Sequence, residues 1–217
     1  MKVSKGEIFE RLFVNEPELN LHIEQEAGSQ VKLYVINFEI SGYRYPEISN
    51  KISVEQLGEG CTTEIYALAY LHGEESVTAE THVRHAVGGG KSEQLIKFVL
   101  DDNARGRFIG DLKIAPDAQQ TEAHQTNRNL LLSETAEMRT QPQLEIYADD
   151  VQATHGASTG QLDESALFYM QQRGIDKQKA RQLLVGAFMR EVLDKIPHSL
   201  IPHSLNPLLD AIDGVVE

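Results

Sequence analysis

Between about residue 30 and residue 148 the apolar side chains recur at every second position, with no helical period between them. Tyr34, Ile36, Phe38 and Ile40 share one face of VKLYVINFEI; Ile65, Ala67, Ala69 and Leu71 share one face of EIYALAYL; Val77, Ala79, Thr81 and Val83 line up in SVTAETHV. QLIKFVL (94–100) and QLEIYAD (143–149) behave alike, the latter with Leu144 and Ile146 inward and Glu145 and Tyr147 outward. Such alternation marks half-buried strands. Turn residues separate the runs: Ser41-Gly42, Gly58 and Gly60, His72-Gly73, Gly88-Gly89-Gly90, Asp102-Asn103 and Gly106. Short strands without amphipathic helices between them exclude a βαβ fold and leave a sandwich, a barrel or a solenoid. Core-facing positions that keep Thr, Ser, Asn and His favour the solenoid, because stacked rungs let such groups pair with their neighbours.

After Val151 the period becomes helical. LDESALFYMQQRG places Asp163 as N-cap, a Leu167–Phe168–Met170 stripe and Gly174 past the end. IDKQKARQLLVGAFMREVLDKIP places Asp176 as N-cap and an apolar face of Ala180, Leu183, Leu184, Ala187, Phe188 and Val192, ended by Pro197. This divides the chain into a β part, 1–151, and a helical part, 152–217. The tandem pentapeptide IPHSLIPHSL (196–205) reads as an insertion tolerated in a tail, and its prolines argue against His198 and His203 as helical metal ligands.

The 217 residues carry a net charge of −13, which repels phosphate backbones, so nucleic acid is not an expected partner. No apolar run approaches the ~20 residues needed to span a bilayer, and MKVSKGEIFERLF is no secretory signal, so the cytoplasm is the expected compartment. A single cysteine, Cys61, permits neither an internal disulfide nor an all-cysteine metal site within one chain.

Chemical motifs are few. GGGKS (88–92) lacks phosphate-loop spacing and reads as a turn. In THVRH, His82 and His85 lie three apart on a strand and point oppositely, His82 outward beside Glu80 and Arg84, His85 into the core. Asp101-Asp102 and Asp149-Asp150 are sequence neighbours at turns, not catalytic dyads in themselves. A polysaccharide-acting enzyme using groove carboxylates is the competing reading, weakened by the absence of Trp. His155 stands apart: Thr154, Gly156, Ala157, Ser158 and Gly160 around it are too small to bury it and let another backbone approach closely.

Residues 125–175 resemble the SufB/SufD family of iron–sulfur cluster assembly proteins. The resemblance rests on Asn-Arg-Asn-Leu-Leu-Leu-Ser (127–133), Pro-x-Leu-Glu-Ile-Tyr-Ala-Asp-Asp-Val (142–151), His-Gly-Ala-Ser (155–158), and Leu-Phe-Tyr followed by Gln-Arg-Gly-Ile (167–175), with LLVGAF (183–188) beyond. The His-Gly-Ala pattern is most like SufD, although Ala153 stands where such chains often carry a cysteine. The resemblance implies a right-handed parallel β-helix with a helical C-terminal domain, without the family's usual N-terminal helical domain. It further implies a non-enzymatic scaffold that pairs with a SufB-like subunit and docks a SufC-like ABC ATPase. His155, Thr154, Gly156, Glu145, Tyr147, Asp149 and Asp150 are then expected at the partner and cluster interface. Leu167, Phe168, Tyr169, Arg173, Gly174 and Phe188 are expected at the ATPase surface. No cofactor is expected to bind this chain alone; His155 would lend one ligand to a transient iron–sulfur cluster shared with the partner chain. The strand edge at 143–151 is open, and open edges seek partners, so a homodimer is expected when the chain is alone.

Overall fold

A computed structural model describes residues 1–38 and 46–213, without the side chains of Ala211 and Asp213; the expected position of Ile40 lies outside them. Twelve strands run β1 Lys2–Val3, β2 Ile8–Val14, β3 Glu18–Gln25, β4 Gln30–Phe38, β5 Glu47–Gln56, β6 Thr62–Leu71, β7 Ser76–His85, β8 Lys91–Leu100, β9 Arg105–Ile114, β10 Thr121–Leu131, β11 Glu137–Ile146 and β12 Val151–Gly160. Odd strands form one sheet and even strands the other, and every pairing is parallel. Successive odd strands begin at Glu47, Ser76, Arg105 and Glu137, spacings of 29, 29 and 32 residues. The chain is a parallel β-helix, as the polar core positions suggest. Strand β12 continues the even sheet past the change of period at Val151.

One corner recurs in each coil. Gly6, Gly28, Gly60, Gly89 and Gln120 all have φ between 57° and 70°. Each donates its N–H to the loop of the next coil: Gly28 to Glu59 O (2.8 Å), Gly60 to Gly88 O (3.3 Å), Gly89 to Gln119 O (2.9 Å) and Gln120 to Asp150 O (2.6 Å). Glycine adopts that left-handed conformation without a Cβ penalty, which is why four of the five corners use it.

Inside, residues stack in rows. Ile23, Val54, Val83 and Leu112 are in register and almost fully buried, with the half-buried Leu144 ending the row. Each buried aliphatic side chain stabilises by about 1.5–3 kcal/mol. Polar core residues largely pair: Asn37 Nδ2 donates to Asn50 Oδ1 (2.8 Å), Thr63 Oγ1 to Gln25 Oε1 (2.6 Å), and Asn127 and Asn129 exchange amide bonds (2.9 and 2.8 Å). His85 points inward, bonded to Ser92 Oγ at 2.8 Å, and His82 lies outside near Glu80 and Asp111. Ile146 departs from expectation. It is 42% exposed because β11 is the last strand of its sheet and none of the described residues stacks above it.

Helices α1 (Glu164–Gln172), α2 (Lys177–Leu193) and α3 (Asn206–Asp213) follow. Asp163 caps α1 through the N–H groups of Ser165 and Ala166, and Asp176 caps α2 through that of Lys179. Val185, Met189, Val192 and Leu193 of α2, with Leu208 and Ile212 of α3, cover Tyr66, Leu68, Leu95, Val99 and Leu130 on the outer face of the even sheet. Both faces of that sheet are therefore buried. This is why β4 is apolar at Tyr34, Val35 and Ile36 in succession rather than alternating.

The buried faces of the helices differ from those expected. On α2 they are Ala180, Val185, Gly186, Met189, Val192 and Leu193, while Leu183 and Ala187 are exposed. The helix is turned by its two-sided packing, sheet on one side and α3 on the other, where a Cβ at Gly186 would stand 2.9 Å from Ile212. On α1 only Leu167 is buried and Phe168 is 63% exposed. The duplicated pentapeptide is folded: each copy makes a 3-10 turn, His198–Leu200 and His203–Leu205, and Leu200, Ile201 and Leu205 join the apolar layer under the helices.

One cation fastens helix to sheet. The Lys97 side chain is 1% exposed, and its ammonium donates to Phe188 O (2.8 Å) and Glu191, 4.0 Å above the Phe188 ring. Arg128 reaches the same carboxylate at 3.1 Å. Burial lowers the Lys97 pKa, and Glu191 partly offsets this; burial works to raise Glu191, but Lys97 and Arg128 hold it below the usual carboxylate range. Removing the carboxylate leaves a buried ammonium unpaired, so Glu191→Leu should cost about 3 kcal/mol. Lys97→Met, which removes the charge itself, should cost less, as urea midpoints will show. His85 supplies a second test. Burial pushes its pKa from 6.5 to about 4, so between those values the unfolded chain binds more protons. Stability should be complete above pH 6.5 and fall by about 3 kcal/mol toward pH 4. Chemical denaturation across that window should show the slope, and His85→Gln should flatten it.

Candidate functional site

The last coil gathers most of the residues singled out in the sequence. Strand β12 pairs with β10 along one side only, and β11 pairs only with β9, so each sheet ends in a strand whose far edge has no partner among the described residues. Ten successive residues of β12, Val151 to Gly160, carry no side chain larger than His155, Gln152 or Val151. An added Cβ at Gly156 or Gly160 would meet nothing within 4 Å, and neither has a positive φ. These glycines serve no packing within the chain. They leave the edge thin, as close approach by another backbone requires.

His155 sits mid-strand in register with Gln125. The direction of its side chain follows from its neighbours. Thr154 Oγ1 meets His124 Nδ1 (2.8 Å) on the outer face, whereas Thr159 Oγ1 accepts from Asn129 Nδ2 (3.1 Å) on the inner one. By alternation His155 belongs to the inner face, and it is exposed because no further coil among the described residues covers it. The imidazole thus stands at the open end of the solenoid.

In the last strand of the other sheet, Glu145 is held below the usual carboxylate range by the Lys113 ammonium at 2.8 Å, and accepts from Tyr147 OH at 3.2 Å. Lys113 also lies 5.4 Å from the Tyr147 ring centroid. Asp149 and Asp150 are exposed in the turn joining β11 to β12, where Asp150 N donates to Gln119 Oε1 at 2.9 Å. Thr154, His155, Gly156, Glu145, Tyr147, Asp149 and Asp150 therefore share one end of the molecule. Asp101, by contrast, is taken up by Arg181 at 3.1 Å, and Asp102 sits at a turn with φ 53°.

The second set divides. Phe168 (63% exposed) and Tyr169 (56%) project from α1, with the Arg173 guanidinium 4.3 Å from the Tyr169 ring centroid and Gly174 (φ 86°) completing the cap. Leu167 and Phe188 turn inward, one buried at the base of α1 and the other beneath Lys97. The outward surface is Phe168, Tyr169, Arg173 and Gly174. Sequence reading missed Lys97, Arg128 and Glu191. The only signal for Lys97 was a lysine inside an otherwise apolar strand, QLIKFVL.

The fold is a parallel β-helix with an exposed terminal coil and a helical layer on one sheet, and comparison with known proteins gives its family. The family profile described as SUF system FeS cluster assembly, SufBD core domain, matches residues 19–188. The chain belongs to that family. It is 38% identical over 149 residues to the iron–sulfur cluster assembly protein SufD of Escherichia coli, covering 69% of this chain and 35% of that protein. It is 33% identical over 204 residues to an iron–sulfur cluster assembly SufBD family protein of Synechocystis, 88% of this chain and 45% of that one. It is 34% identical over 187 residues to Protein ABCI7, chloroplastic, of Arabidopsis thaliana, 82% of this chain and 39% of that one. The chain thus spans less than half the length of these relatives. Among the described residues no helix is long and apolar enough to cross a membrane.

Because His155 and Phe168 are both exposed, His155→Ala and Phe168→Ala should each shift stability by under about 0.5 kcal/mol in thermal denaturation. A loss above 2 kcal/mol at either would mark a structural role.

Proposed function

We propose that the chain is a SufD-like scaffold subunit of the SUF machinery, without catalytic chemistry of its own. It pairs with a SufB-like subunit through the free edges of β11 and β12 and docks a SufC-like ATPase through α1 and its cap. The observation that carries this reading is the thin terminal strand, whose glycines no contact in the chain requires and whose one imidazole faces the open end. Family membership supports it.

The cluster is cargo of the assembled complex. A neutral imidazole is a borderline ligand suited to iron. Cys61 does not contribute: it is fully buried, its thiol donating to Glu26 O and Gly58 O at 3.1 Å. Among the described residues no three His, Cys, Asp or Glu side chains converge. The remaining ligands therefore come from the partner chain.

The same edges allow two copies to meet when the partner is absent, and light scattering on the purified chain should give a dimer; a monomer at high concentration contradicts this. Co-expressed with SufB- and SufC-like partners, His155→Ala should leave the complex intact and lower cluster yield. Full yield from the intact complex reduces His155 to packing. Phe168→Ala with Tyr169→Ala should weaken recovery of the ATPase and leave that of the SufB-like subunit unchanged.

A further inference from the structure

Most polar side chains in the core have partners, but one row does not. Gln94 of β8, Gln125 of β10 and His155 of β12 are in register on successive strands. Gln94 and Gln125 are each 1% exposed, and neither amide oxygen nor amide nitrogen of either has a hydrogen-bond partner. A buried amide without partners costs about 1–3 kcal/mol. Two in adjacent coils therefore need a reason.

The space for Gln125 is built. Its amide lies across the core over Gly110 of β9, where a Cβ would stand 2.5–2.6 Å from its oxygen, carbon and nitrogen. Only glycine admits the amide there. In the odd sheet the row passes through Thr81, in register with Gly110 and also with an unpartnered hydroxyl. On its other side, one strand spacing away (about 4.8 Å), the neighbour of Gln125 on the inner face is His155.

We propose that Gln125 is the positioning residue for His155: its amide oxygen accepts the inward imidazole N–H, through one ordered water. No direct hydrogen bond joins the Gln125 amide to His155, so the link is a water, which needs polar partners in such a gap. The consequence is chemical. Imidazole has one N–H and one lone pair when neutral, so holding the N–H inward leaves the lone pair on the nitrogen that faces out of the open coil. An inward N–H donor in place of the amide oxygen would place the proton on the outer nitrogen and remove its capacity to ligate. This inference rests on the reading of His155 as a ligand, but the orientation it assigns exists in the chain alone.

The test is the tautomer of His155 in the isolated chain, read from long-range proton–nitrogen NMR correlations of the imidazole. The native chain should show a single tautomer. Gln125→Met should yield a mixture approaching that of free imidazole, and Gln125→Asn, which draws the amide back by one methylene, should move in the same direction. Backbone spectra establish that each variant is folded; should the methionine variant not fold, the asparagine variant decides. An unchanged tautomer in the folded variants, or a native chain already showing the free mixture, overturns the proposal. A cluster yield insensitive to His155→Ala, with the tautomer still dependent on Gln125, would sink the ligand reading and leave the positioning intact.

Discussion

The structure depends on one constraint: in a parallel solenoid each coil must offer its backbone to the next in the same register. Parallel strands cannot be joined by tight hairpins, so each coil returns through the opposite sheet before its strand is repeated some thirty residues later. The same left-handed corner recurs at Gly6, Gly28, Gly60, Gly89 and Gln120, and its N–H groups tie each coil to the following loop. Once corners are equal, identical positions stack, and inner rows of aliphatic or amide side chains follow.

The same constraint creates the site. A solenoid satisfies its backbone only by adding coils, and the last coil has none above it. In this chain the final strand is made of small residues around one imidazole, and the end of the odd sheet carries the Lys113–Glu145 pair with an exposed Tyr147 just past β11. An edge of that kind presents unpaired backbone groups unless bulk, charge or a covering element blocks it. The helices cover the outer face of the even sheet instead, fastened by Lys97, Glu191 and Arg128, so the terminal edge stays clear.

Much of this was legible in the sequence. Period-two runs located strands β4, β6, β7 and β8 and the end of β11, turn residues separated them, and the N-caps Asp163 and Asp176 placed the starts of two helices. His155 stood out through the smallness of its neighbours. Other features were hidden for physical reasons. Strand β12 has almost no apolar alternation, because no coil lies above it to need any. The corner column was present as four glycines and a glutamine at unequal spacings, a weak signal without the register that aligns them. The buried faces of α1 and α2 were misjudged because their apolar residues are spread around the axis.

The sequence alone determined that the chain is built of strands followed by helices, since side-chain period follows directly from backbone geometry. It also supplied an imidazole among residues too small to hide it. Only the tertiary structure decided which face of each helix is buried, that the Lys97 ammonium packs on the Phe188 ring, and that Gln94, Gln125 and His155 form a single row. Those facts join residues roughly thirty to ninety positions apart, and the register of stacked coils, which no local pattern encodes, brings them together.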